Sequence, residues 1–108
     1  MTKTTRFEAA LATFIAGCTK ISNDHREKWY PSCPEVVFSQ TAGKRYVKVI
    51  RGDVSGGQRS VHCFVEVVTG NVLKAAGWKA PAKHARGNIF DEHNGLNRMN
   101  EYGPEYLR

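Results

Sequence analysis

Lys74, Lys79, Lys83 and Arg86 fall within residues 71–90, a stretch that also holds Trp78 and His84 but no aspartate or glutamate. Lysine and arginine each cancel a phosphate charge, and an indole offers a face on which an unpaired base can stack, so this composition suits a polyanion. A solvated helix face normally mixes both signs of charge, which sets this run apart. Lys44, Arg45, Lys48, Arg51 and Arg59, with Tyr46 and Phe64 as further stacking rings, lie on the stretches just before it. The same residues also read as a plain basic surface with Trp78 as a packing anchor. An acidic protein groove is a third match, with Trp78 as its hot spot.

Other chemistries are poorly served. His25, Cys33, His62, Cys63, His84 and His93 include zinc-ligand types, yet no pair has Cys-x-x-Cys or His-x-x-x-His spacing. His62 and Cys63 are adjacent, so on a strand they point to opposite faces. Cys63 with His84 and Asp91 can be written as a nucleophilic set, but the apolar neighbours of Cys63 predict an inert thiol. Glu66, His62 and Asp53 would serve a metal-assisted hydrolase only if strand pairing brought them together. The loop Gly52–Gln58 is glycine-rich but lacks the lysine and hydroxyl residue that end a phosphate-binding loop; its amides could still face an anion. We therefore expect a protein that is not an enzyme and carries no metal or cofactor.

The 108 residues suffice for one modest core. With 41% hydrophobic and 24% charged residues the composition is that of a globular domain. The net charge of +6 is uneven: residues 71–90 hold four cations and no acid, whereas residues 91–108 hold two cations and four acids. The start Met-Thr-Lys-Thr-Thr-Arg has no apolar signal core, and no apolar run approaches a membrane span. Expression in the cytoplasm follows as an expectation. Three cysteines are an odd count, so free thiols rather than disulfides are expected.

The elements that must position these residues can be traced. Thr5 and Glu8 form a capping-box pattern, and Phe7, Ala10, Leu11, Phe14, Ile15 and Cys18 follow at helical spacing, which predicts a helix from about Arg6 to Gly17. Residues 24–29 suit one or two further helical turns before Pro31 and Pro34 extend the chain. Stretches 36–40, 44–51, 59–68 and 72–75 are rich in β-branched and aromatic residues, with glycine in each gap, which predicts an antiparallel meander. Within the third, Val61, Cys63, Val65 and Val67 form the better core face. Thr69-Gly70-Asn71 is a tight turn in which glycine or asparagine can take positive φ. Pro81 to Arg86 reads as a short helix ended by Gly87, which would align Lys79, Lys83 and Arg86. Residues 36–40 or 72–75 would be an exposed edge on which a homodimer could form. The expected fold is α+β, an N-terminal amphipathic helix packed on an antiparallel sheet of about four strands, with residues 1–90 as one domain and residues 91–108 as an irregular arm.

The segments Ser60–Glu66, Thr69–Lys74 and Trp-Lys-Ala-Pro-Ala-Lys-His-Ala-Arg-Gly-Asn-Ile at residues 78–89 resemble a family of small proteins from tailed bacteriophages, over roughly residues 44–90. The resemblance implies a phage origin and expression in the cytoplasm of an infected bacterial host, and it assigns no site roles. The leading expectation is a phage accessory protein that binds nucleic acid, as single strands or structured ends, because no helix-turn-helix or zinc-finger spacing is present. Its contacts are expected at Lys74, Trp78, Lys79, Lys83, Arg86, Lys48, Tyr46, Arg51 and Arg59. The alternative is an inhibitor that binds a host or host-defence protein.

Overall fold

The structure, a computed structural model, describes residues 5–57, 59–78, 80–96, 99–100 and 103–104; Thr5, His84, Arg86 and the last four are described by backbone alone. Helix α1 spans Thr5–Trp29, and the strands are β1 Val36–Ala42, β2 Tyr46–Asp53, β3 Ser60–Glu66, β4 Asn71–Ala75, β5 Pro81–Asn88, β6 Met99–Asn100 and β7 Gly103–Pro104. Strands β1 to β5 form one sheet in chain order, each antiparallel to the next, and β6 pairs with β7. The fold is thus α+β, a single N-terminal helix laid on an antiparallel sheet.

The core is the union of a helical stripe and one strand face. Phe7, Leu11, Phe14 and Cys18 are buried against Val47 and Val49 of β2, Cys63 and Val65 of β3, Val72 of β4 and Ile89. Burying each phenylalanine contributes about 1.5–3 kcal/mol. The register pairs Val47 with Val65, Val49 with Cys63 and Val65 with Val72, so these side chains share the helix-covered face.

α1 runs well past Gly17, where the sequence suggested its end. The reason is packing: a Cβ at Gly17 would lie 2.3 Å from Cδ1 of Leu96, so the glycine makes room for a core side chain and does not stop the helix. The stripe continues through Ile21 and Ser22, and the helix ends where Pro31, which has no N–H, follows the Tyr30 N–H bond to Arg26 O at 2.7 Å. The proposed Thr5 cap lies outside the described side chains. Asn23 fastens the helix to β1, as its Oδ1 accepts from Val36 N–H at 2.8 Å and its Nδ2 donates to Val36 O at 2.9 Å.

Residues 81–86 correct the expectation of a short helix. They belong to β5, which gives the sheet one strand more than about four. Strand β4 has an open edge, and hydrogen bonding to it outweighs the marginal stability of so short a helix. Pro81 sits at the first residue of this edge strand, where its missing N–H costs no ladder bond. Residues 72–75 are consequently interior to the sheet; its edges are β1 and β5. The turn at Gly70 is as expected, with φ of 78°. Its missing Cβ also leaves room for the Phe90 ring, which would lie 2.6 Å away.

Strand β3 departs from simple alternation. A register shift opposite Val49 and Ile50 inserts one extra residue, so His62 is buried beside Cys63 while Val61 is only half-buried; Phe64, paired with Lys48 before the shift, is buried on the opposite face. His62 lies edge-on to Phe38, with centroids 4.8 Å apart. Beyond β5, Asn94 adopts φ of 55° and donates from Nδ2 to Ala10 O at 3.1 Å and Ile89 O at 2.7 Å, which ties residues 91–96 to the helix.

Candidate nucleic-acid interface

The face of the sheet turned away from α1 carries the aromatic and cationic residues. Tyr46 and Lys48 alternate with the buried Val47 and Val49 along β2 and therefore project to the opposite side. Phe64, the cross-strand partner of Lys48, projects there too and meets the Tyr46 ring edge-on at 6.1 Å. Thr41, Lys44, Arg45, Tyr46, Lys48 and Phe64 line a pocket of about 240 Å³ on this side.

Trp78 closes the far side of the patch. The turn between β4 and β5 is held by Ala76 N–H and Gly77 N–H, both donating to Ala80 O at 3.0 and 3.2 Å. From it the indole reaches the β2–β3 surface, where Lys48 Nζ lies 4.8 Å and the Arg59 guanidinium carbon 5.9 Å from its ring centroid. Each such contact contributes about 0.5–1 kcal/mol at an exposed site. Trp78 remains 45% exposed, so the ring is held in place yet half open to solvent. Arg45 lies over Tyr46 at 5.1 Å and pairs with Glu66 at 3.1 Å. Thr69, which donates to Glu66 at 2.7 Å, and Arg45 hold that carboxyl below its usual range.

The candidate residues divide accordingly. Tyr46, Lys48, Arg59 and Trp78, far apart in sequence, meet on one face. Lys83 is exposed on β5, and Arg86 lies on the same strand by its backbone. Lys79 lies outside the described residues. Lys74, half-buried on β4, follows the alternation of Val72 onto the helix side, where its charge acts on His62. Arg51 also lies on the helix side, lining a cavity with Ser22, His25 and Arg26 of α1.

The other sets do not assemble. Glu66 pairs with Tyr46 and Asp53 with Val36, at opposite ends of β2, and His62 is buried between them. Cys63 is fully buried and its thiol is pushed well up by burial, with Cys18 adding to the effect. Cys18, Cys33 and Cys63 are free thiols. Among the described residues no three His, Cys, Asp or Glu side chains converge as metal ligands, and no helix is long and apolar enough to cross a membrane. The amides of the glycine loop turn inward. Asp53 accepts from Ser55 N–H at 2.9 Å and from Ser55 Oγ, and these bonds, the hydroxyl's first, hold its carboxyl below the usual range.

The molecule is thus defined as a small α+β protein with one sheet face covered by a helix and the other presenting rings between cations. The chain belongs to a family of unknown function, DUF7717, whose model matches residues 3–105. The match takes in α1 and the C-terminal segment as well as the region 44–90. No curated protein and no solved structure matches it.

Proposed function

We propose that this is a non-catalytic phage accessory protein, working in the cytoplasm of the infected bacterium, that binds nucleic acid as single strands or structured ends across the helix-free face of its sheet. Trp78 carries the reading. A half-exposed indole between Lys48 and Arg59, with Tyr46 on the same face over the buried Phe64, combines a stacking ring with cations for the flanking phosphates. Lys83 on β5, with Lys79 and Arg86 of the same chain segment, extends the contacts along the strand. Lys74 and Arg51, on the helix side, contribute to the long-range field and not to the contact itself.

The test is a titration of single-stranded oligonucleotides followed by Trp78 fluorescence in a Trp29→Phe background. Quenching should accompany binding, and Trp78→Ala, which leaves that background without tryptophan and is therefore followed by electrophoretic mobility shift, should weaken it by about 1–3 kcal/mol, the range for loss of one base stack. Joint replacement of Lys48 and Arg59 by alanine should flatten the dependence of affinity on salt by about two phosphate contacts. Affinity and salt slope unchanged in both variants would refute the assignment.

The exposed, cation-flanked Trp78 also fits a hot spot for an acidic host protein, the second reading. A stoichiometric partner retained from host lysate after nuclease treatment, and lost with Trp78→Ala, would favour it.

A further inference from the structure

On the helix side of the sheet, the last turns of α1, the connection 30–35, the start of β1 and the ends of β2 and β3 line a half-open cavity of about 300 Å³. Ser22, Arg26, Tyr30, Val36, Arg51 and Asp53 are among its walls. Its volume is at the lower end of the range for sites that hold small organic molecules.

Two of these walls carry unused polar groups. Ser22 is 1% exposed, and its Oγ has no hydrogen-bond partner; Arg51 Nε is buried and likewise has none. Buried polar atoms are rarely left unpaired, because each has given up water without replacement. Here a hydroxyl and a guanidinium N–H, brought from different elements, lie within the walls of the same cavity, both closed to solvent, where a turn of either side chain would present them to it.

The remaining charged walls are committed elsewhere. Arg26 donates from Nε to Asn23 Oδ1 at 3.1 Å and from Nη1 to Cys33 O at 3.2 Å. Asp53 is turned onto Ser55 N–H and Oγ. The donor set left for an occupant is therefore positive and donating, while Tyr30 and Val36 supply an apolar wall for its body.

We propose that this cavity binds an oxyanion, a phosphate or carboxylate group borne on a small apolar or aromatic body, with Arg51 and Ser22 as its anchors. Guanidinium and hydroxyl donors together match an oxyanion's several acceptor oxygens, and binding would pair groups that folding leaves unpaired. The proposal is independent of the Trp78 surface, which lies on the other face of the sheet. A free small molecule and the terminal phosphate of a nucleic-acid strand share this chemistry.

The experiment is an amide NMR titration with phenyl phosphate, with phenol as the neutral control. Saturable shifts at Ser22, Arg51 and Ser60 with phenyl phosphate, and none with phenol, are expected. Arg51→Met should weaken the affinity at least roughly tenfold, and Ser22→Ala roughly five- to tenfold, the worth of one hydrogen bond. Because Ser22→Ala removes an unpaired hydroxyl, its melting temperature should be unchanged or higher, so its weaker binding cannot be blamed on unfolding. A 5′-phosphorylated oligonucleotide compared with its 5′-hydroxyl form, in a Trp78→Ala background, separates the two sources: shifts at Ser22 with the phosphorylated form alone assign the site to strand ends, and their absence while phenyl phosphate binds assigns it to a free molecule. Shifts confined to residues 44–48, no saturable shift, or a Ser22→Ala affinity equal to the parent's would overturn the proposal.

Discussion

The side-chain amide of Asn23 on α1 grips both backbone groups of Val36 on β1, accepting from its N–H at 2.8 Å and donating to its carbonyl at 2.9 Å. One side chain thereby acts as an extra rung between helix and sheet, and Val36 is buried beside it.

Replacing Asn23 by alanine leaves both partly buried backbone groups unpaired and should cost about 1–3 kcal/mol. Asn23→Asp should cost at least as much, because the carboxylate would face the Val36 carbonyl with no proton to donate. Urea denaturation of the three proteins measures this. A loss below about 0.5 kcal/mol in both variants would mean that the rung is not structural.

Gly17 and Leu96 form a second pair whose behaviour can be reversed. Alanine at position 17 gains about 1 kcal/mol of helix propensity, but its Cβ would fall 2.3 Å from Leu96 Cδ1, and expelling that side chain from its place should outweigh the gain by about 1 kcal/mol. In a Leu96→Ala background the clash is gone, so the same substitution should stabilise. A thermal-melt cycle over the four proteins tests for the change of sign.

His62 should make stability depend on pH. Burial, reinforced by the positive charges of Arg51 and Lys74, pulls its pKa from 6.5 down to about 4. Between these values the unfolded chain binds a proton that the folded chain refuses. The stabilisation is therefore fully present above pH 6.5 and is lost as pH falls toward 4, with a loss of up to ~3 kcal/mol. Denaturation at about pH 4.5 and about pH 7.5 should show a smaller pH effect for His62→Leu than for the parent. Equal pH effects would rule His62 out as the cause.

The thiols should divide by burial. Cys18 and Cys63 are buried, and burial pushes Cys18 up to about 12 and Cys63 well above its ordinary range. Cys33 is exposed. A colorimetric thiol reagent at neutral pH should consume one equivalent promptly in the native protein and three in denaturant. Rapid reaction of more than one native thiol would show that α1 lifts readily from the sheet.

Much of the scaffold is legible residue by residue. The spacing of Phe7, Leu11, Phe14 and Cys18 announces the helix, the alternation around Val47 and Val49 announces a half-buried strand, and Gly70 announces its turn. The Trp78 surface is legible only as ingredients, because a one-dimensional count of cations does not say which face each one takes. Gly17 and residues 81–86 mislead for a related reason: local signals treat glycine as a stop and a run opened by Pro81 and closed by Gly87 as helix, whereas Leu96 and the open edge of β4 assign them other roles.

Composition and periodicity by themselves determined an α+β protein with a helix over a meander and an excess of positive charge beside it. Tertiary structure alone decided that Lys48, Arg59 and Trp78 meet, that Arg51 and Lys74 turn to the helix side, and that Ser22 and Arg51 share a cavity. Side-chain direction on a strand follows a period of two from a starting register, and that register is set by pairing partners distant in sequence. One inserted residue in β3, opposite Val49 and Ile50, is enough to bury His62 where simple alternation would have turned it away from the core.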